Sequence, residues 1–227
     1  MLAVSHLEGT TRPRSTHNDG APKLSGDLFG ALINLSGRRR FASQRVVLFA
    51  ILASQDRPCA IDSAREALSL FSEAHKALVE GNEQLPGVFC EELEEVYFGA
   101  AQGDKTIRDF IAAATQTLDA IGQASARPQL DRLVRHATPL LAVLDAITQV
   151  YEDLAKRHAR RVKQQVSDVL GDIESIARQA RMVAFNAQVV AARAGELGHE
   201  FSVVAGQLTQ ITGRIDELVK QAMRSGA

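Results

Sequence analysis

Residues 173–222 read IESIARQARMVAFNAQVVAARAGELGHEFSVVAGQLTQITGRIDELVKQA. Apolar residues recur at Ile173, Ile176, Ala180, Val183, Ala187, Val190 and Ala194, in alternating steps of three and four. The pattern breaks at Gly195-Glu196-Leu197-Gly198. It resumes with the same steps at Phe201, Val204, Leu208, Ile211, Ile215, Leu218 and Ala222. Sustained 3–4 spacing marks a coiled-coil seam. Two seams around a short turn with two glycines predict an antiparallel helical hairpin. The Ala-rich ascending seam predicts that its helices approach closely.

Upstream, the chain also reads as helix. A first helix is expected from Ser25 to Ser54, ended by Asp56–Ala60 with Pro58. Ser63-Ala64-Arg65-Glu66 has capping-box spacing and is expected to open a second helix to Glu80. A third segment is expected over Val88–Gln102, interrupted at Gly103-Asp104 and continuing to Ile121. After a loop at Gly122–Pro128, Thr138-Pro139 either starts the next helix or kinks one begun near Gln129. From Pro139 nothing stops a helix before Gly195, a run of ~57 residues. Its early seam is Leu140, Leu144, Ile147, Tyr151 and Leu154; the later one is Ala159, Val162, Val166, Val169 and Ile173. The two are out of phase, as at a stutter, and the basic run Lys156–Arg161 lies between them.

The expected fold is therefore all-α: a four-helix sensor bundle joined by a long helix to an antiparallel coiled-coil hairpin, and dimeric. The domains are expected as 1–23 (disordered, rich in Ser, Thr, Pro and Gly), 24–157 (bundle) and 158–227 (hairpin). Reflected about the turn, Ala222 falls opposite Ile173. Residues 159–172 then have no descending partner, and are expected to pair with the same segment of a second subunit.

Composition narrows the function. The 26 basic and 27 acidic residues nearly balance, which argues against nonspecific nucleic-acid binding. The longest apolar run, Val46–Ala53, is too short to span a bilayer, and the N-terminus has no signal core, so a cytoplasmic protein without membrane insertion is expected. Cys59 and Cys90 are read as reduced, buried thiols. The six histidines lack metal-ligand spacing. There is no phosphate loop, nucleophile triad or convincing carboxylate pair. Neither enzyme activity nor a cofactor is expected.

The hairpin stretch resembles the signalling tip of bacterial chemotaxis receptors, the methyl-accepting chemotaxis proteins. The matching residues are Ile176-Ala177, Gln179, Ala184, Asn186-Ala187, the run Ala191-Ala192-Arg193-Ala194-Gly195-Glu196, Gly198, and Phe201 with Val203-Val204-Ala205. The resemblance implies a dimeric four-helix tip that docks a coupling adaptor and a histidine kinase. By motif position, Met182, Phe185 and Val203 match the apolar residues that engage those partners. Asn186 and Arg193 match contacts between receptor dimers in a trimer, and Glu196 belongs to the same partner-facing run. Arg178 and Val190 depart from the pattern, where the family has an apolar or aromatic residue and Glu respectively. The usual trimer of dimers is therefore not expected. The longer arms that carry modified glutamates in adapting receptors are missing from this stretch, so no methylation sites are expected.

Residues 33–45, INLSGRRRFASQR, carry a second pattern. As a helix, Ile33, Gly37, Arg40, Gln44, Val47 and Ile51 form one seam. A cation in an apolar seam is costly unless paired. A two-fold dimer would bring two copies of Arg40 together, and a small oxyanion between them would relieve the repulsion. The segment resembles nitrate/nitrite sensor kinases and the sensor domains of type IV pilus chemotaxis transducers, whose pattern is Ile-Asn-x-Ala-Gly-x-x-Arg-Met-x-Ser-x-Arg. Ile33, Asn34, Gly37, Arg40, Ser43 and Arg45 match, while Ser36 and Phe41 replace the usual Ala and Met. The resemblance implies nitrate or nitrite at the dimer interface, contacted by Arg40 with Gly37, Ser43 and Asn34 around it.

The combined expectation is a chemoreceptor-like protein that senses a small ligand and regulates a histidine kinase through a coupling adaptor. The rival expectations are an anion-binding regulator, or a structural array component, whose hairpin serves only dimerisation.

Overall fold

The computed structural model describes residues 24–225. The expected disorder of residues 1–23 lies outside them. Every regular element among the described residues is helical: α1 Gly26–Ala53, α2 Ala60–Glu80, α3 Glu91–Phe98, α4 Gly103–Ala120, α5 Ala126–Arg193, a 3-10 turn Gly195–Gly198, and α6 His199–Ser225. Two compact units divide between Leu154 and Ala155, three residues before the expected boundary, and α5 contributes to both. No helix among the described residues is long and apolar enough to cross a membrane.

In the first unit, α1 begins as expected. Ser25 caps it by accepting a hydrogen bond from the Leu28 amide at 3.2 Å. Other boundaries differ. α2 starts at Ala60, not Ser63. Cys59 takes a left-handed conformation (φ 59°) there, and its carbonyl already accepts the Ser63 amide. Ser63 thus sits inside the first turn, and Cys59 is exposed rather than buried. The break between α3 and α4 falls at Gly99–Gln102, before Gly103. Pro139 lies inside α5, which starts at Ala126.

The core of this unit combines Leu32, Val46 and Ala50 of α1 with Phe71 and Leu78 of α2, Ile107 and Phe110 of α4, and Leu133, Leu140, Leu144, Ile147 and Tyr151 of α5. The early seam of α5 is thus as read from Leu140 to Tyr151, with Leu154 only half-buried. The seam of α1 is not. Its buried stripe is Leu32, Ser36, Arg39, Ser43, Val46, Ala50 and Ala53, one residue before the expected one. The arginine in the core is Arg39, fully buried, whereas Arg40 is exposed and ion-paired with Asp145 of α5 at 2.5 Å.

A polar chain makes this burial tolerable. Arg39 donates from Nη2 to Ser36 Oγ and from Nη1 to His75 Nδ1, both at 3.2 Å. Ser36 in turn shares a 2.8 Å hydrogen bond with Thr148 of α5. With Nδ1 accepting, His75 is neutral and donates from Nε2 to Asp104 Oδ1 at 3.0 Å. Asp104 Oδ2 accepts from Arg108 Nε at 2.8 Å. The chain ties α1, α2, α4 and α5 together. Burial, reinforced by the positive charge of Arg39 and only partly opposed by Asp104, lowers the His75 pKa to about 4.

The second unit is the hairpin. Its buried stripe is Ala177, Ala184 and Ala191 on α5, Gly198 at the turn, and Ala205, Thr212 and Val219 on α6, each seven residues after the last. The pairing is antiparallel: Arg181 of α5 reaches Asp216 and the Thr212 carbonyl of α6. The seam expected to join the helices is instead turned outward, with Ile176 64%, Val183 62%, Val190 65%, Phe201 72% and Val204 63% exposed. Small residues fill the true contact, so the helices do approach closely. Residues 159–169 are exposed throughout.

Two predictions follow from this packing. A Cβ at Gly198 would press into the Ala191 backbone, whereas one at Gly206 would meet only the Gln188 amide at 3.8 Å. Gly198→Ala is therefore expected to destabilise the hairpin by about 1–3 kcal/mol in thermal melts, with Gly206→Ala near neutral. For His75, a folded pKa below the unfolded value means that the unfolded chain takes up the proton first. Its contribution is complete above pH 6.5 and is lost as pH falls from there towards about 4. Urea melts should show a loss of roughly 2 kcal/mol between pH 7 and 5, and His75→Gln should flatten that slope.

Candidate functional site

The hairpin displays two apolar faces, and helix geometry fixes where they lie. Each residue turns the helix by about 100°. With Ala184 directed at α6, Ile176, Val183 and Val190 fall roughly 80–120° to one side, and Phe185, Val189 and Met182 roughly 100–160° to the other. On α6, with Ala205 as the reference, Phe201, Val204 and Ile211 fall on the first side and Val203 on the second. Because the helices are antiparallel, the same sense of rotation places both sets on the same face of the hairpin. One face is thus the long stripe from Ile173 to Leu218. The opposite side carries Phe185 and Val189, with Met182 farther round towards the outer edge of α5; Val203, about 160° round from Ala205, lies at the outer edge of α6.

All six sequence-predicted partner residues are exposed. Met182 and Phe185 are 64% and 63% exposed, and Val203 about half. Asn186 and Arg193 point away from α6, and Glu196 lies in the turn, where Gly195 takes φ 61°. Arg178 is on the same flank as Phe185, but its guanidinium is held by Glu174 one turn earlier, at 3.3 Å. Val190 lies on the long stripe, not on the Phe185 face.

The four residues read as an anion site do not converge. Arg40 faces α5 and is held by Asp145. Ser43 is buried and donates to the Arg40 carbonyl at 2.8 Å. Nothing lies within 4 Å of where a Cβ would stand on Gly37. Asn34 is turned to another side of α1, where it lines a cavity with Arg38. Sequence reading missed the buried set Arg39, His75 and Asp104. The 4-3 recurrence Leu32, Ser36, Arg39, Ser43, Val46, Ala50 and Ala53 was the available signal, but it competes with an equally regular stripe one residue later. Among the described residues, no group of three His, Cys, Asp or Glu side chains is placed to hold a metal.

Comparison with known proteins agrees with the hairpin geometry. The family model of the methyl-accepting chemotaxis protein (MCP) signalling domain matches residues 99–223, more than half of the chain, reaching back from the hairpin through α4 to the residue after α3. Methyl-accepting chemotaxis protein TlpB of Bacillus subtilis is 31% identical over 124 residues, covering 50% of this chain and 19% of that protein. Methyl-accepting chemotaxis protein I of Escherichia coli is 34% identical over 79 residues, covering 35% of this chain and 13% of that protein. Methyl-accepting chemotaxis protein McpB of Pseudomonas aeruginosa is 46% identical over 50 residues, covering 22% and 7%. The chain therefore spans no more than about a fifth of the length of these relatives. No solved structure matches it. With an exposed two-faced hairpin and this match, the chain belongs to the methyl-accepting chemotaxis protein signalling domain family.

Proposed function

We propose that this chain is a cytoplasmic chemoreceptor-like signal transducer that couples ligand binding in a four-helix sensor bundle to control of a histidine kinase. The hairpin is the output element. Its long stripe pairs with a second copy, and the exposed residues off that stripe, Met182, Phe185 and Val203 with Asn186, Arg193 and Glu196, dock a coupling adaptor and the kinase. The observation that carries this reading is the pair of exposed apolar faces on opposite sides of one hairpin. A protein that only dimerised would need one. A stripe that continues over both helices suits a second identical hairpin, packed seam to seam. The shorter apolar surface of Met182, Phe185 and Val189 on α5 is flanked by polar residues, as at a docking site for a different chain.

The trimer of dimers is less clearly disfavoured than its departures suggest. Glu174 neutralises part of the Arg178 charge, which limits repulsion around a three-fold axis. Cysteine crosslinking at Arg178 within intact arrays tests this, and abundant three-way products would establish the trimer.

The docking reading separates by face. Phe185→Asp is expected to weaken capture of the coupling adaptor by at least about tenfold while leaving the dimer intact. Val183→Asp is expected to yield monomers in analytical ultracentrifugation. Loss of neither interaction in its own variant would remove the two-face assignment.

A second reading is nitrate or nitrite sensing at Arg40. Its support is the open space at Gly37 beside an exposed guanidinium. Opposing it, Asp145 already neutralises that guanidinium, and an anion must displace it. On this reading calorimetry gives heat with nitrate or nitrite in the parent chain and none in Arg40→Ala, and the exposed pair itself is worth at most about 1 kcal/mol of stability. An absence of heat in the parent removes the reading.

A further inference from the structure

Arg38, Arg39 and Arg40 turn to three different sides of α1. Arg39 enters the core and Arg40 pairs with Asp145. Arg38 has no hydrogen-bond or ion-pair partner among the described residues. It stands where two cavities adjoin, of about 670 and about 490 Å³, both also lined by Leu35 and Leu85. The smaller one lies between α1 and α2, and Phe41 and Leu70 on its walls are 68% and 49% exposed. A guanidinium without a counter-ion beside uncovered apolar side chains is the arrangement expected of a site for an amphipathic anion.

The wall of this groove is built in advance. The segment from Gly81 to Gly87 folds back on itself: both glycines take positive φ (79° and 70°), and a Cβ on either would collide with backbone of the same turn. Asn82 Oδ1 accepts the Gln84 and Leu85 amides at 2.9 Å each, which fixes Leu85 in place. The other charged groups define the valence. Arg45 is occupied by the Phe41 and Phe49 rings, with Glu66 at 3.9 Å. Glu73, which also lines the groove, accepts a 2.8 Å hydrogen bond from Ser69. Arg45 is answered by Glu66, which leaves Arg38 opposite Glu73, a balance that favours a single negative charge on the ligand and disfavours a second.

We propose that this groove binds a small monocarboxylate with an apolar body, its carboxylate on Arg38 and its apolar part over Leu35, Phe41, Leu70 and Leu85. This rests on the sensing half of the proposed function and names its input chemistry. The site is separate from Arg40, on another side of the same helix.

The test uses the full chain, with hexanoate and phenylacetate as probes and their uncharged amides as controls. In two-dimensional NMR titrations, at least one carboxylate is expected to shift groove resonances saturably, and its amide to bind about tenfold or more weakly, the value of a charge-assisted contact. Arg38→Gln should reduce the carboxylate to the level of the amide, while Arg40→Gln leaves it unchanged. Equal affinity for acid and amide, survival of binding in Arg38→Gln, or no saturable shift with either carboxylate at millimolar concentration would overturn the proposal. So would groove resonances that respond to protein concentration but not to the carboxylates, which would assign the groove to a second copy. The measurement needs no adaptor or kinase, so its failure leaves the docking experiments standing, and failed docking leaves this result intact.

Discussion

The hairpin depends on one constraint: the fully buried stripe where its two helices meet holds side chains no larger than Thr except at the far end, where Val219 closes it. Seven positions at strict heptad spacing set the distance between the axes, and Gly198 sets it most tightly, with no room for even a methyl group. A contact made of Ala and Gly buries little apolar area, at about 25 cal/mol per Å². It must be completed elsewhere. Part comes from Arg181, which pins the register through Asp216 and the Thr212 carbonyl. The rest is displaced outward. Bulky residues that cannot fit between close helices line both flanks instead, and the surface available to partners is thus a consequence of how the hairpin closes.

The first unit is governed by the opposite problem, a large charged group in a place that excludes water. Removing a guanidinium from water costs several kcal/mol unless hydrogen bonds and charge compensate it. No carboxylate touches Arg39. Compensation arrives through a neutral imidazole, which passes the interaction to Asp104. Asp104 is shared with Arg108 on its other oxygen, and Arg39 Nε is buried without a partner. The arrangement is adequate rather than complete, and it works only while His75 is unprotonated. The Tyr97 ring at 5.8 Å from the Arg39 guanidinium adds a further favourable contact.

Much of this was legible in the residues. The hairpin and its turn, the span of α1 and the Leu140–Tyr151 seam all came from periodicity. The two misplaced stripes share a form: each was displaced by one residue. On α1, Leu32, Ser36, Arg39 and Ser43 compete with Ile33, Gly37, Arg40 and Gln44. On the hairpin, Ala177, Ala184 and Ala191 compete with Ile176, Val183 and Val190. In each case the stripe chosen from hydrophobicity was not the one buried within the chain. Periodicity counts apolar residues without knowing which partner covers them, and in the hairpin the larger side chains face away from the intrachain contact. The boundary at Ala60 was hidden for a different reason. Left-handed Cys59 carries no cap signature, whereas Ser63 does.

The departures at Arg178 and Val190 also make better sense on the surface than in the motif. Val190 neighbours Arg193 one turn on but does not reach the Phe185 side. It lies instead on the long stripe between Ala187 and Ala194, where an apolar side chain extends the surface continuously from Val183 towards the turn. Arg178, on the other flank, is answered by Glu174 at the helical i−4 position. Each change is thus accommodated where it stands. On the proposed reading, their joint effect favours the pairing of two hairpins: one apolar residue is gained on the dimer stripe, and one charge placed on the docking flank is neutralised locally before any partner arrives.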